Sequence, residues 1–117
     1  MSKLILRDGA ELIAEERKRQ ISKKGWTPQH DDNHQLGELT EAALCYGLVA
    51  SAEIRGSCAT EWPYELVSSG ETLCQWPFEE IAWKPSDDPL RNLVKAGALI
   101  AAEIDRLQRA KAKEVKP

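Results

Sequence analysis

The segment from Asp88 to Arg109 constrains the fold of this chain more than any other part of the sequence. Asp88 is a typical helix N-cap, and Pro89 suits the first helical position, where its missing N–H has no partner to lose. Apolar residues then recur at helical spacing, which predicts an amphipathic helix over 88–110. These positions are Leu90, Leu93, Val94, Gly97, Ala101, Ile104 and Leu107.

Two earlier segments also have helical patterns. Asp8 followed by Glu11 is a variant capping box and Gly25 is a typical C′ residue, so a first helix is predicted over 8–25. Its apolar stripe is thin and its other faces are charged, which predicts a place on the outside of a bundle. The charged residues are Glu15, Glu16, Arg17, Lys18 and Arg19.

A second helix is predicted over 33–54, with Asp32 or Asn33 as its cap. Its apolar period uses Leu36, Leu39, Ala43, Tyr46, Leu48 and Val49. The chain is therefore predicted to be all-α, a single domain over 1–117 that contains a bundle of about three main helices.

Small residues in the middle of the third helix allow another helix to approach closely, either inside a bundle or at a dimer interface. Because the first helix offers little apolar area, we expect a homodimer or higher homo-oligomer. The small residues are Ala96, Gly97, Ala98, Ala101 and Ala102.

Residues 55–86 break the helical pattern with Gly, Ser and Pro, which predicts an irregular lobe rich in Trp and Pro. Within it WPYE (62–65) echoes WPFE (76–79), and Trp side chains are expected to pack the lobe down around a short helical turn near 78–83. The tail, 111–117, is predicted to be frayed.

The formal net charge of −3 leaves no excess of Lys and Arg, so binding to duplex nucleic acid is not expected. The N-terminus has no apolar run for a signal peptide or a membrane span, and the three cysteines lack metal-ligand spacing. We therefore expect a cytoplasmic protein, away from membranes, with reduced thiols. The cysteines are Cys45, Cys58 and Cys74.

One side of the second helix is polar in its first turns. His34, Glu38 and Glu41 share it, and the two carboxylates form an E-x-x-E pair that is able to hold a divalent cation or receive basic partners. An equally ordinary interpretation is a pair of surface carboxylates. Arg91 and Lys95 share a stripe of the third helix and would meet these carboxylates if the two helices pack antiparallel.

A second polar cluster comprises His30, Asp31, Asp32 and His34. It has the residue types of a metal site, but acids before a helix are ordinary caps, and the two histidines lie on a predicted turn and so lack the fixed face of a helical H-x-x-x-H pair. We therefore expect no metal there, and His34 remains a candidate ligand contact.

At least two of the four tryptophans are expected to be packing residues. Trp26 and Trp83 are the better candidates for the wall of a ligand pocket, where an indole can stack on a nucleobase. Cys45 falls on the apolar end of the second helix, and no cysteine is predicted to be catalytic.

Several motifs together resemble a group of small phage and prophage proteins described as MazG-like. The resemblance covers about residues 15–109, nearly the whole chain. It implies membership of the all-α NTP pyrophosphohydrolases, which are helical, usually dimeric, and cleave nucleoside triphosphates between the α and β phosphates with Mg²⁺. The motifs are ERKRQ, GWTPQHDDNH, GEL with AA and Y close behind, WPF, WKP and RNLVKAGALIAAEIDRL.

In that superfamily one helix supplies E-x-x-E and a later helix supplies E-x-x-D. Glu38 and Glu41 match the first motif. The nearest counterpart of the second is Lys95-Ala-Gly-Ala98, in which both acids are replaced. Two carboxylates beside an ammonium group make a poor Mg²⁺ site, so Lys95 is expected to take the place of the metal as a fixed positive charge.

The leading hypothesis is a phage-type protein of the host cytoplasm that binds a nucleotide or a nucleotide-derived signal without efficient hydrolysis and without a cofactor, so as to sequester a signal of host defence. Its predicted ligand-binding residues are Trp26, His34, Glu38, Glu41, Trp83, Arg91 and Lys95. An alternative is a Mg²⁺-dependent pyrophosphohydrolase in which Glu38 and Glu41 are catalytic metal ligands, joined by Asp31, Asp32, Glu103 or Asp105. A third hypothesis is a protein-interaction module that uses the WPYE and WPFE motifs.

Overall fold

The computed structural model describes residues 6–56 and 76–115, and this part of the chain is helical, without a strand. The prediction of an all-α fold is confirmed. No helix among the described residues is long and apolar enough to cross a membrane. WPYE, Cys58 and Cys74 lie outside the described residues. The helices are α1 (Gly9–Lys24), α2 (Pro28–Asp32), α3 (Glu38–Ile54) and α4 (Pro89–Val115), with a 3-10 turn at Glu80–Ala82.

The helices α3 and α4 form the centre of the fold and run antiparallel. Near the start of α3 the Thr40 hydroxyl donates to Glu103 Oε2 (3.4 Å), and near its end Glu53 Oε1 accepts from Asn92 Nδ2 (2.7 Å). The core between the two helices contains Leu39, Ala42, Ala43, Cys45, Tyr46, Trp76, Ala96, Leu99 and Ala102. Cys45 is buried, as predicted.

Local capping signals fix the starts of α1 and α4 as predicted. The side chains of Asp8 and Asp88 each accept a hydrogen bond from the backbone amide two residues further on (3.3 and 3.0 Å). The helix α4 continues to Val115, beyond the predicted end at 110, because no Gly or Pro interrupts its run of Ala and Lys. Residues 111–115 are therefore helical, and the predicted boundary at 110 is wrong.

The prediction that Asp32 or Asn33 caps the second long helix is wrong. Thr27 starts the short helix α2 by accepting a hydrogen bond from the His30 amide (3.2 Å), and Asn33 ends it. Gly37, in the left-handed region at φ 84°, then separates α2 from α3. Asp32 is the last residue of α2 and Asn33 is its C-cap, so neither residue begins α3.

Two arginines attach α2 to the long helices. Arg17 of α1 pairs with the fully buried Asp31 and donates to the Trp26 carbonyl (3.0 Å). Arg109 of α4 pairs with Asp32 (2.8 Å). These contacts fix the position of α2 although a five-residue helix is not stable alone.

The helix α1 packs across α4 at Gly97, which has no side chain. A Cβ at Gly97 would lie 2.5 Å from Ile13 Cδ1, so only glycine admits this approach without a shift. The close helix contact predicted from the small residues of α4 is thus present within the chain. The charged face predicted to place α1 on the outside is buried at Glu16, which is 3% exposed, and the neighbouring Gln20 is 2% exposed.

The described part of the irregular lobe packs on α3. Trp76 and Trp83 contact the Tyr46 ring with centroids 5.7 and 5.0 Å apart. The 3-10 turn confirms the short helical turn expected near 78–83. Asn92, fully buried on α4, accepts from the Ser86 amide and donates to the Ser86 carbonyl (2.8 Å each), which fixes the loop before α4.

Candidate functional site

A pocket of about 370 Å³ lies between α1, the loop before α4 and α4 itself. Five cationic side chains and a single carboxylate line it, together with two aromatic rings. We call it the cationic pocket. Its lining residues are Glu16, Arg19, Gln20, Lys24, Trp26, Tyr46, Ala82, Lys84, Arg91 and Lys95.

The buried carboxylate of Glu16 organises two of these cations. Arg19 donates to both of its oxygens (2.8 and 2.9 Å), and Arg91 donates to Oε1 (2.6 Å). Burial alone would raise the pKa of Glu16, but the hydrogen bonds from Arg19 and Arg91 outweigh it and lower the pKa below its usual value. Glu16 therefore stays ionised and positions both guanidinium groups.

Lys95 is held by a carbonyl oxygen and an aromatic ring. Its Nζ donates to the Lys84 carbonyl (2.7 Å) and lies 5.5 Å from the centroid of the Tyr46 ring. Burial, assisted by the nearby Arg91, lowers the pKa of Lys95 to about 8. At neutral pH the ammonium group is therefore mostly charged. It contacts a carbonyl oxygen and an aromatic face, and an anion in the pocket can add an ionic contact.

A second cavity of about 550 Å³ is lined mainly by rings, and we call it the aromatic cleft. Trp26 and His30 are parallel, with centroids 6.1 Å apart and planes inclined by 5°. His34 lies edge-on between His30 (4.8 Å) and Phe78 (5.1 Å). The other described lining residues are Leu39, Pro77, Glu79, Ile81 and Ala82.

The two cavities meet at a common wall. Trp26 and Ala82 line both of them, so an apolar cavity adjoins a strongly positive one. Each volume is in the range of small-molecule sites. This arrangement suits a ligand with a flat ring at one end and an anion at the other.

The predicted pair of Glu38 and Glu41 lies at the first turn of α3, apart from the cationic pocket. Glu38 Oε1 accepts from the Leu36 amide (2.6 Å), and its Oε2 lies 3.5 Å from His34 Nδ1. Burial would raise the pKa of Glu38, yet hydrogen bonds from its own amide, from Leu36 and from His34 lower it. Glu41 is exposed.

The expectation that Arg91 and Lys95 meet Glu38 and Glu41 is wrong. The antiparallel register of α3 and α4 places Lys95 beside Tyr46, which is more than one helical turn beyond Glu41. Their carboxylate neighbour is instead Glu16 of α1.

The acids proposed as additional Mg²⁺ ligands are mostly bound to arginines. Glu103 pairs with Arg106, Asp31 with Arg17 and Asp32 with Arg109, while Asp105 is exposed. Within residues 6–56 and 76–115, no group of three or more His, Cys, Asp or Glu side chains is arranged to hold a metal ion. These residues do not fit the Mg²⁺ site of a pyrophosphohydrolase, and the His30 and His34 cluster gives no such group either.

Of the two tryptophans proposed as pocket walls, Trp26 lines both cavities. Trp83 instead packs against Tyr46 and Trp76 (4.8 Å) and belongs to the core. Trp76, in WPFE, is 3% exposed and is also a packing residue.

Seven residues of the cationic pocket were not predicted as site residues, and four of them belong to α1. The seven are Glu16, Arg19, Gln20, Lys24, Tyr46, Ala82 and Lys84. The spacing of Glu16, Arg19 and Gln20 places them on one helix face, which is a usable signal. A charged helix face is typical of solvent exposure, however, so the sequence predicts an exposed face there and not the wall of a pocket.

Comparison of the chain with known protein families, with curated proteins and with solved structures gives no match. The resemblance to MazG-like proteins therefore rests on the motifs alone.

Proposed function

We propose that this protein binds a nucleotide or a nucleotide-derived phosphorylated small molecule and does not hydrolyse it efficiently. The phosphate is placed in the cationic pocket and the base in the aromatic cleft. The observation that carries the proposal is the shared wall, because Trp26 faces both a cluster of cations and a cavity of rings.

Each half of the site has chemistry suited to its part of the ligand. Guanidinium groups bind phosphate oxygens through paired hydrogen bonds, and Glu16 holds Arg19 and Arg91 in place before the ligand arrives. Base stacking on an aromatic ring contributes about 1–3 kcal/mol. Trp26 and His30 offer such faces.

The motifs behind the MazG-like resemblance supply the cationic pocket. Glu16, Arg19 and Gln20 come from ERKRQ, Trp26 from GWTPQHDDNH, Lys84 from WKP, and Arg91 and Lys95 from RNLVKAGALIAAEIDRL. This convergence supports a ligand-binding member of that phage-type group, and sequestering a nucleotide signal of host defence is the role we propose.

The carboxylates that would have to hold Mg²⁺ for hydrolysis already have partners, which favours binding without hydrolysis. Arginines already neutralise Glu103 and Asp32, and His34 and the Leu36 amide hold Glu38. A hard cation would have to displace these partners before it gained oxygen ligands.

The test is calorimetry in EDTA with inorganic phosphate, adenosine, AMP, ADP, ATP, ADP-ribose and a cyclic dinucleotide. A nucleotide should bind more tightly than phosphate or adenosine alone. Lys95→Met should weaken phosphate and nucleotides alike, Trp26→Leu should weaken mainly nucleotides, and Lys18→Met, on an exposed part of α1, is the matched control. The proposal fails if no compound binds, or if the three variants behave alike.

The hydrolase alternative is tested separately by pyrophosphate release from NTPs with Mg²⁺. Activity that disappears in Glu38→Gln but persists in Lys95→Met would replace binding with catalysis at the first turn of α3.

We also propose a homodimer, supported by apolar side chains that α4 leaves about half exposed. They are Leu90, Leu93, Ile100, Ile104 and Leu107. Sedimentation velocity should give a dimer for the native chain and a monomer for Ile104→Lys. A monomeric native chain would contradict the proposal.

A further inference from the structure

Gln20 lies one turn after Glu16 on α1 and forms part of the floor of the cationic pocket. Its Nε2 donates to Glu16 Oε2 (3.4 Å). An ionised carboxylate only accepts hydrogen bonds, so the amide nitrogen must face Glu16. This chemistry fixes the orientation of the amide and turns Oε1 away from the carboxylate.

The oxygen Oε1 of Gln20 is shielded from solvent, and no hydrogen-bond donor in residues 6–56 or 76–115 reaches it. Buried acceptors are nearly always paired in folded proteins, because leaving one unpaired costs free energy. This acceptor belongs to a residue that is 2% exposed and lines a pocket of cations. A ligand that donates a hydrogen bond there completes the site.

We infer that Gln20 makes the cationic pocket selective for a phosphate group that has a hydroxyl donor attached or beside it. The inference rests on the proposed phosphate binding and adds the basis of its selectivity. Lys and Arg attract any tetrahedral dianion, so charge alone does not distinguish phosphate from sulfate. An acceptor in the same pocket does, because phosphate keeps one O–H at neutral pH and sulfate has none.

The donor has two possible sources, which are the phosphate itself and a neighbouring sugar hydroxyl. NMR titrations of the native chain with inorganic phosphate and with sulfate test the first source. Titrations with 2-hydroxyethyl phosphate and with ethyl phosphate, which differ only in a hydroxyl beside the phosphate, test the second. We expect a preference of about tenfold for the donor-bearing member of at least one pair, the factor that one hydrogen bond typically gives.

Equal affinities within both pairs would overturn the inference while leaving phosphate binding intact. No binding of any of the four compounds would contradict the proposed function as well. The two failures are therefore distinguishable.

Gln20→Met supplies the variant test, since methionine has similar length and volume without the acceptor. It should abolish the preference, so that the ratio of the two affinities within a pair falls to about one whatever the absolute affinities are. Gln108→Met, at an exposed position of α4 outside the pocket, is the matched control and should keep the preference. A preference that survives in Gln20→Met would overturn the inference, and if thermal melting shows that variant unfolded, the native comparison decides it.

Discussion

Replacing Glu16 with Gln removes the negative charge at the base of the cationic pocket and should destabilise the fold. The carboxylate is 3% exposed and accepts three hydrogen bonds from two arginines. Breaking a buried ion pair from one side costs roughly 3–5 kcal/mol. Arg19 and Arg91 are 39% and 35% exposed, so solvent screens part of this loss, and we expect a decrease of about 3 kcal/mol in the free energy of unfolding.

The measurement is urea unfolding followed by tryptophan fluorescence, for the native chain and for Glu16→Gln, over a range of pH. The folded pKa of Glu16 is lowered, so its contribution is present above the unfolded value of about 4.3 and is lost as pH falls through the folded pKa. The difference between the two proteins should therefore be constant near neutral pH and shrink in acid.

Glu15→Gln is the matched control, because the neighbouring glutamate is 57% exposed and pairs only with Arg7 among the described ion pairs. It should leave the free energy of unfolding nearly unchanged, because solvent screens an exposed ion pair. If Glu16→Gln costs no more than Glu15→Gln, Glu16 does not organise the pocket and the reasoning is refuted.

Three further predictions follow from single residues. The affinity for phosphate should fall between about pH 7 and about pH 9, since the pKa of Lys95 is about 8 and the neutral amine attracts no anion. The Lys95→Met variant should bind phosphate weakly at every pH, without this fall, when both proteins are measured by calorimetry. Asn92→Ala should lower the free energy of unfolding by about 3 kcal/mol, because three hydrogen bonds to α3 and the preceding loop are lost, whereas the exposed Asn33→Ala should cost less than about 1 kcal/mol in the same urea assay. Gly97→Ala should lower the melting temperature despite the better helix propensity of alanine, because its Cβ meets Ile13 Cδ1 at 2.5 Å and Cγ1 at 2.7 Å. In an Ile13→Ala background, which lacks both atoms, the same change should no longer lower it; a higher melting temperature in the single variant would contradict this contact.

The parts of the fold that local chemistry determines were predictable from the sequence. Asp8 and the Asp88-Pro89 pair start their helices where expected, since a cap acts within a few residues. Thr27-Pro28 is the same kind of signal and starts α2, but the surrounding residues favour turns, so the sequence predicts a turn there. The start of α3 was therefore misplaced.

The site was harder to predict because it depends on how the helices align. The sequence predicts Lys95 as an anion contact, yet the neighbours of Lys95 are set by the register between α3 and α4, and no local pattern encodes that register. Glu16 and Gln20 are polar residues on a charged helix, and only packing against α4 reveals that they are buried. The candidate site therefore lies beside α1, whereas the sequence predicts it at the first turn of α3.

The short helix α2 has a consequence for the order in which the protein assembles. Five residues form too few hydrogen bonds to persist alone, so α2 depends on Arg17 from α1 and Arg109 from α4. Those arginines are brought together only when helices from opposite ends of the chain have docked. We therefore expect the wall that carries His30 to form only after α1 and α4 have docked, and a chain that lacks α4 to have no ordered aromatic cleft.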